Sequence, residues 1–265
     1  LCEEKGLKYM ELELVNRLRQ ALTAGNEDIF RIISDPSMDV LRALLKNPLL
    51  EESHLLVLLK RRDLPADLLK EIYELQKNLD SHRVKVALVR NKNTPASIVV
   101  NILPHLHLFE LVDVCGLPGV AADHRIAAER AIIRRLPVTP LGNKLTLARR
   151  GTACVVGALL KEGDSVLMDA CLSNPRIRES EICMFVGSQT ATAETLSAVA
   201  RHPRWKARLN VKLALLKNRK IPQVWFTLFL PTLPVGEIRN LLATRGIDGM
   251  RKNEIEKELK RRGRY

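Results

Sequence analysis

Aromatic residues are scarce in this chain: Phe, Trp and Tyr together make up 4 % of its 265 residues. A core must therefore be built from Leu, Ile, Val and Ala. Glycine is sparse as well, with 13 residues. That bias favours helices over a β-sandwich or barrel. Long apolar runs are missing; none approaches the roughly 18 residues that a membrane-spanning helix requires. The five cysteines (Cys2, Cys115, Cys154, Cys171 and Cys183) are scattered and odd in number, with no CxxC pair and no zinc-type spacing. A reduced, cytoplasmic setting fits that usage. Cys154 and Cys171 sit in apolar stretches and are expected to be buried thiols. There is no Walker A sequence, GxGxxG, HExxH or GxSxG. No cofactor, metal or small-molecule substrate is indicated, and a non-enzymatic protein is expected. The chain opens on Leu1, as a fragment of a longer chain would, and LCEEKGLKYM is charged and unlike a secretion signal.

What is present is charge and repetition. Hydrophobic residues make 46 % and charged residues 28 % of the chain, ordinary for a folded protein. The formal net charge is +13. Such a balance bears on partners, not on fold. It suits nucleic acid, an acidic membrane surface or an acidic protein.

VKVALVRNKNTPASIVVNILP begins at Val84, and VKLALLKNRKIPQVWFTLFLP begins at Val211; 211 − 84 = 127. ALLKNPLLEES from Ala43 and ACLSNPRIRES from Ala170 keep the same offset, 170 − 43 = 127. A single gapless offset reads as a tandem duplication, with a first half near 10–136 and a second near 137–263. A shorter period lies inside each half. Ala43 and Asn47 align with Ala87 and Asn91, and Ala170 and Asn174 with Ala214 and Asn218, both at an offset of 44.

Local chemistry predicts helix-turn-helix units. The apolar positions of VKVALVRN nearly encircle a helix. Asn91 then falls at its end, where Asn tolerates the left-handed conformation. Thr94-Pro95 reads as N-cap plus first helical residue, restarting a helix that stops at Pro104. Further helices are expected over 66–77 and 193–202, two more over 143–163 joined near Gly151, and a charged capping helix over 251–263. No Gly/Pro/Ser linker divides the halves. The expected fold is all-α: one continuous right-handed α-solenoid over 1–265, HEAT- or armadillo-like, of about six units.

The unit V-x-x-A-L-x-x-N-x-x-T-P resembles the leucine-rich repeat variant family and the wider HEAT-like group of bacterial helical repeat proteins. The resemblance implies a solenoid fold more than an activity. The founding type of that family carries an N-terminal cysteine group that binds an iron–sulfur cluster. Here only Cys2 lies near the N-terminus, so no cluster is expected. HEAT-like alkylpurine DNA glycosylases are similar in fold and charge, but their catalytic Asp maps onto no position of this chain.

Among candidate site residues, His105 and His107 form the only close histidine pair and read as surface or turn histidines. Trp225 lies on an apolar helix and is expected in the core. Trp205, within RHPRWKAR, is the better ligand-contact candidate of the two, set against a solvated or packing role. The cations that recur at the offset of 127 are Lys85/Lys212, Arg90/Lys217, Lys92/Arg219, Arg134/Arg261 and Arg135/Arg262. Lys85 and Lys92 are expected on one helix face. Stacked units would turn such positions into rows of positive charge. The expected function is a scaffold that binds a protein partner through its solenoid surface. The alternative is nucleic-acid binding through the Lys/Arg rows, with a glycosylase-type repair enzyme third.

Overall fold

The computed structural model describes the backbone of residues 2–244 and 247–263, with side chains from residue 12 onward except 78 and 79; the Cys2 side chain lies outside the described residues. All regular structure among them is helical. None of these helices is long and apolar enough to cross a membrane. The chain forms two compact units, Leu1–Ala131 and Ile132–Tyr265.

The first unit holds α1 (Cys2–Thr23), α2 (Asn26–Ile32), α3 (Met38–Leu44), α4 (Glu52–Leu58), α5 (Ala66–Leu79), α6 (His82–Arg90), α7 (Ala96–Ile102), α8 (Leu108–Gly116) and most of α9 (Ala122–Arg135). The second holds α10 (Leu141–Arg150), α11 (Ala153–Lys161), α12 (Ser165–Leu172), α13 (Glu179–Val186), α14 (Ala193–Arg201), α15 (Pro203–Lys206), α16 (Leu209–Lys217), α17 (Gln223–Phe229), α18 (Val235–Leu242) and α19 (Gly249–Arg261). Helix starts keep the sequence offset: α4 to α13 is 179 − 52 = 127, and α7 to α17 is 223 − 96 = 127. The period of 44 spans more than the expected helix pair: α3, α4 and α5 precede the next copy at α6, and α12, α13, α14 and the short α15 precede α16.

Each unit is closed by aliphatic packing. Leu41, Leu44, Leu55, Leu58, Leu68, Leu69 and Ile72 are fully buried in the first. The second adds Phe185, Trp205 and Phe226 to the same kind of interior. Each such side chain contributes about 1.5–3 kcal/mol on burial. α10 ends where Gly151 turns to extended backbone, and glycine is needed there because a Cβ would stand 2.6 Å from the Leu147 carbonyl oxygen. Cys171 is buried, and burial pushes its thiol up to about 12. Cys154 is exposed, contrary to expectation, because Val155, Val156, Leu159 and Leu160 take the inward face of α11.

Most of these helices have seven to ten residues. An α-helix leaves its last four carbonyls without intrahelical partners. Short helices therefore present many orphan acceptors. The repeated asparagines answer that problem. The Asn47 side-chain amide donates to the Ala21 and Ala24 carbonyls at 2.9 and 3.1 Å. Asn91 donates to Leu59 and Arg61, Asn174 to Ala148, Arg149 and Gly151, and Asn218 to Val186. In all four the side-chain oxygen accepts the backbone N–H two residues on. Asn91 and Asn218 are extended, at φ −77° and −80°, so their role is this clasp and not a left-handed helix end.

Thr94 likewise differs from its expected part. Its hydroxyl donates to the Leu88 carbonyl at 2.6 Å, closing α6, while Pro95 takes the N-cap position of α7. Longer side chains extend the clasp. Arg61 donates to the Ile33 and Asp35 carbonyls, Arg204 to Asn174 and Ile177, Lys220 to Gln189 and Ala191, and Arg251 to Asn218, Arg219 and Ile221.

Removing a clasp leaves buried carbonyls unpaired. Asn91→Ala and Asn174→Ala are each expected to destabilise their own unit by about 1–3 kcal/mol. Urea unfolding checks this; a shift within about 0.5 kcal/mol, the size of an ordinary surface substitution, would remove the clasp from the account.

Candidate functional site

The first-unit cations separate. Lys85 is largely covered and pairs with Asp80 at 2.6 Å, beside Tyr73, Gln76 and His105. Arg90 is the last residue of α6, and Asn91 turns the chain out of the helix, so Lys92 lies in the turn. Lys85 and Lys92 therefore do not share a helix face. Arg90 and Lys92 instead line a cleft of about 570 Å³ with Lys60, Arg61, Arg62 and Arg83. Its floor is Leu56, Leu59, Val86 and Ala87, and His82 and Glu110 border it. Two of its cations are engaged: Arg61 with Asp63 at 2.6 Å and Arg83 with Glu52 at 3.2 Å. Among the described residues, Lys60, Arg62, Arg90 and Lys92 have no carboxylate partner.

In the second unit, Lys212 is half-buried; its Nζ lies 3.1 Å from Thr232 Oγ1 and 5.7 Å from the Phe229 ring centre. Lys217 and Arg219 are exposed. Arg134 is exposed and Arg135 half-buried at the end of α9. Their counterparts at the offset of 127 serve the fold: Arg261 and Arg262 grip the Glu258 carboxylate at 2.8 and 2.7 Å. Arg262 also donates to the Leu233 and Pro231 carbonyls.

Trp205 is buried more deeply than Trp225. Trp205 is 2 % exposed, and its indole N–H donates to the Leu172 carbonyl at 2.9 Å. It is a core residue and offers no stacking surface, a correction that follows from α15 turning it inward while its basic neighbours face out. Trp225 is half-buried, with its N–H on Ser197 Oγ at 3.1 Å.

Charge is divided unequally between the units. Residues 1–131 carry 18 Lys and Arg against 19 Asp and Glu, a net of 18 − 19 = −1. Residues 132–265 carry 25 against 11, a net of 25 − 11 = +14. Two stretches explain this. No acidic residue lies between Glu129 and Glu162, and none between Glu194 and Glu237. The second stretch holds eight cations: Arg201, Arg204, Lys206, Arg208, Lys212, Lys217, Arg219 and Lys220. At positions 127 lower, Glu71, Glu74 and Asp80 stand where this stretch has Ala198, Arg201 and Ala207.

Folding gathers more arginines around the turn over 174–178. Arg176 donates to the Arg150 carbonyl at 2.8 Å, and Arg204 to Asn174 and Ile177. These bonds bring the ends of α10 and α12 and the start of α15 together, with Arg149, Arg150, Arg176, Arg178 and Arg204 all exposed. Sequence reading passed over this group because it sought repeated cations, whereas these arginines come from separate stretches that only the fold brings together.

Elsewhere, His82, His107 and Glu110 place one donor atom each within 4.8 Å of one another. His107 is thus grouped with His82 and Glu110, while His105 lies in the concavity beside Lys85. The chain matches no protein-family model, no curated protein and no solved structure.

Two predictions follow from this geometry. In a Trp225→Phe variant the remaining Trp205 should emit as a buried indole and resist iodide quenching; free quenching would place it at the surface. The grip of Arg261, reinforced by Arg262 and opposed by burial, holds the Glu258 carboxyl near 2, well below its ordinary 4.5. A depressed carboxyl stabilises the fold above its unfolded value, and that contribution is lost as the pH falls toward the folded one. Acid unfolding of wild type should show that loss between about pH 4.5 and 2, and Glu258→Gln should remove it.

Proposed function

We propose that this protein is a non-enzymatic, phosphate-backbone-binding α-helical repeat protein, and that its second unit holds the nucleic-acid strand or duplex. The observation that carries the reading is the cation excess of that unit, concentrated in two long stretches of its sequence that hold no acid. Cations in number with no acid between them attract a polyanion by counterion release, whatever its base sequence. The acids present at the corresponding first-unit positions speak against charge merely inherited from a repeat. The equal offsets of helix starts support a tandem duplication built into a continuous solenoid. The scattered, odd-numbered cysteines support a reducing, cytoplasmic setting.

A protein partner is the second reading. Val224 and Leu228 stand one turn apart on α17, 66 % and 57 % exposed, and an exposed apolar pair of this kind suits a protein surface.

Binding of arbitrary duplex and single-stranded nucleic acid at about 50 mM salt tests the proposal. With four phosphates neutralised, affinity should fall by about 100-fold between about 50 and 200 mM salt. The combination Arg178→Glu, Lys206→Glu, Arg208→Glu and Lys217→Glu should abolish binding without unfolding, because those four side chains hold no partner within the described fold. Arg90→Glu with Lys92→Glu should change it little. Absence of binding at about 50 mM salt would leave the protein-partner reading in place.

A further inference from the structure

We propose that His82, His107 and Glu110 form a binding site for a divalent transition-metal ion, zinc being the best match. His82 opens α6, His107 is the N-cap of α8, and Glu110 is the third residue of α8. The turn structure before α8 thus brings three donors from two helix starts together. His82 Nε2 stands 2.8 and 2.9 Å from the two Glu110 oxygens, and the imidazole rings of His82 and His107 are 4.7 Å apart. Two imidazoles and one carboxylate are the donor set of an open zinc site, which leaves a coordination position for water or an anion. Calcium and magnesium want more oxygen ligands than this cluster offers.

The cluster can be reached. His107 is exposed and His82 and Glu110 are half-buried. The last two border the cationic cleft that Arg90 and Lys92 also line. Nor does the fold require the histidines. At the offset of 127 the corresponding residues are Leu209, Pro234 and Glu237, and α16 and α18 form there without either imidazole.

Two features weaken the site relative to a closed structural one. The His107 side chain also accepts the Glu110 backbone N–H, and the Glu110 carboxylate accepts the His107 N–H at 2.8 Å, so the ion competes with a helix cap. The cleft's cations also oppose a further positive charge. The rival reading is that His82 and Glu110 simply tie α6 to α8; it predicts no ion.

The decisive experiment uses the full chain without an affinity tag, titrated with Zn²⁺ against a chromophoric chelator and with Co²⁺ followed by visible absorption. One ion per chain is expected, with the intense Co²⁺ absorption of a site below six-coordinate. His82→Leu, which installs the residue of the second unit's counterpart, and Glu110→Gln should each weaken binding by about tenfold or more, since loss of even an outer-shell partner has that effect. His107→Ala should remove the Co²⁺ bands, and His105→Ala should leave affinity unchanged. Circular dichroism of the metal-free variants checks that they fold. The proposal is overturned by wild type that binds no stoichiometric ion or gives only the weak spectrum of six-coordinate Co²⁺. It is equally overturned if folded His82→Leu binds as wild type does, or if His105→Ala loses as much.

Discussion

A side-chain amide buried against the carbonyl end of an earlier helix is the interaction on which the rest of this structure rests. Helices of seven to ten residues spend much of their backbone at their ends, where acceptors lack partners. Water could serve them at a surface, but these turns are packed under the next helices. Asn47, Asn91, Asn174 and Asn218 supply donors from 23 to 32 residues downstream. Each also accepts a local N–H, so one residue fixes both its own turn and the turn before it. Asparagine alone among small side chains offers a donor pair and an acceptor in that space. The aliphatic core supplies stability, whereas the amides set the register of one helix set on the next.

The same need for donors divides the cations into two kinds. Arg61, Arg204, Arg251 and Arg262 spend their guanidinium groups on carbonyls and are structural, although they still carry charge. Others, such as Arg178, Lys206 and Lys217, project from turns and helix ends. A raw count of basic residues mixes the two. In the first unit, acids balance the cations, and many pair directly, as Lys77 does with Glu74 and Lys85 with Asp80. In the second, acids are missing over long stretches, and most of the charge is left unbalanced.

Much of the fold was legible in the sequence. The offsets of 127 and 44, the break at Gly151 and the helices over 66–77 and 193–202 follow from periodicity and helix-ending residues, signals that act locally. The third helix of each 44-residue set lay inside segments already read as helical, yet the set was counted as a pair. The part played by Asn91 was not legible, because its partners Leu59 and Arg61 are about 30 residues away in sequence. Trp205 was misplaced for a related reason: basic neighbours mark a surface turn, but one residue of a four-residue helix can still point inward. His82 and His107 are 25 residues apart, too far for any spacing rule to join them.

The central claim is that the second unit meets the polyanion. Lysine acetylation footprinting of the protein with and without duplex nucleic acid at low salt tests it most directly. Protection of Lys206 and Lys217 with unchanged reactivity at Lys60 and Lys92 is the predicted result. Equal reactivity at all four lysines in the bound and free protein, or protection confined to Lys60 and Lys92, would contradict it.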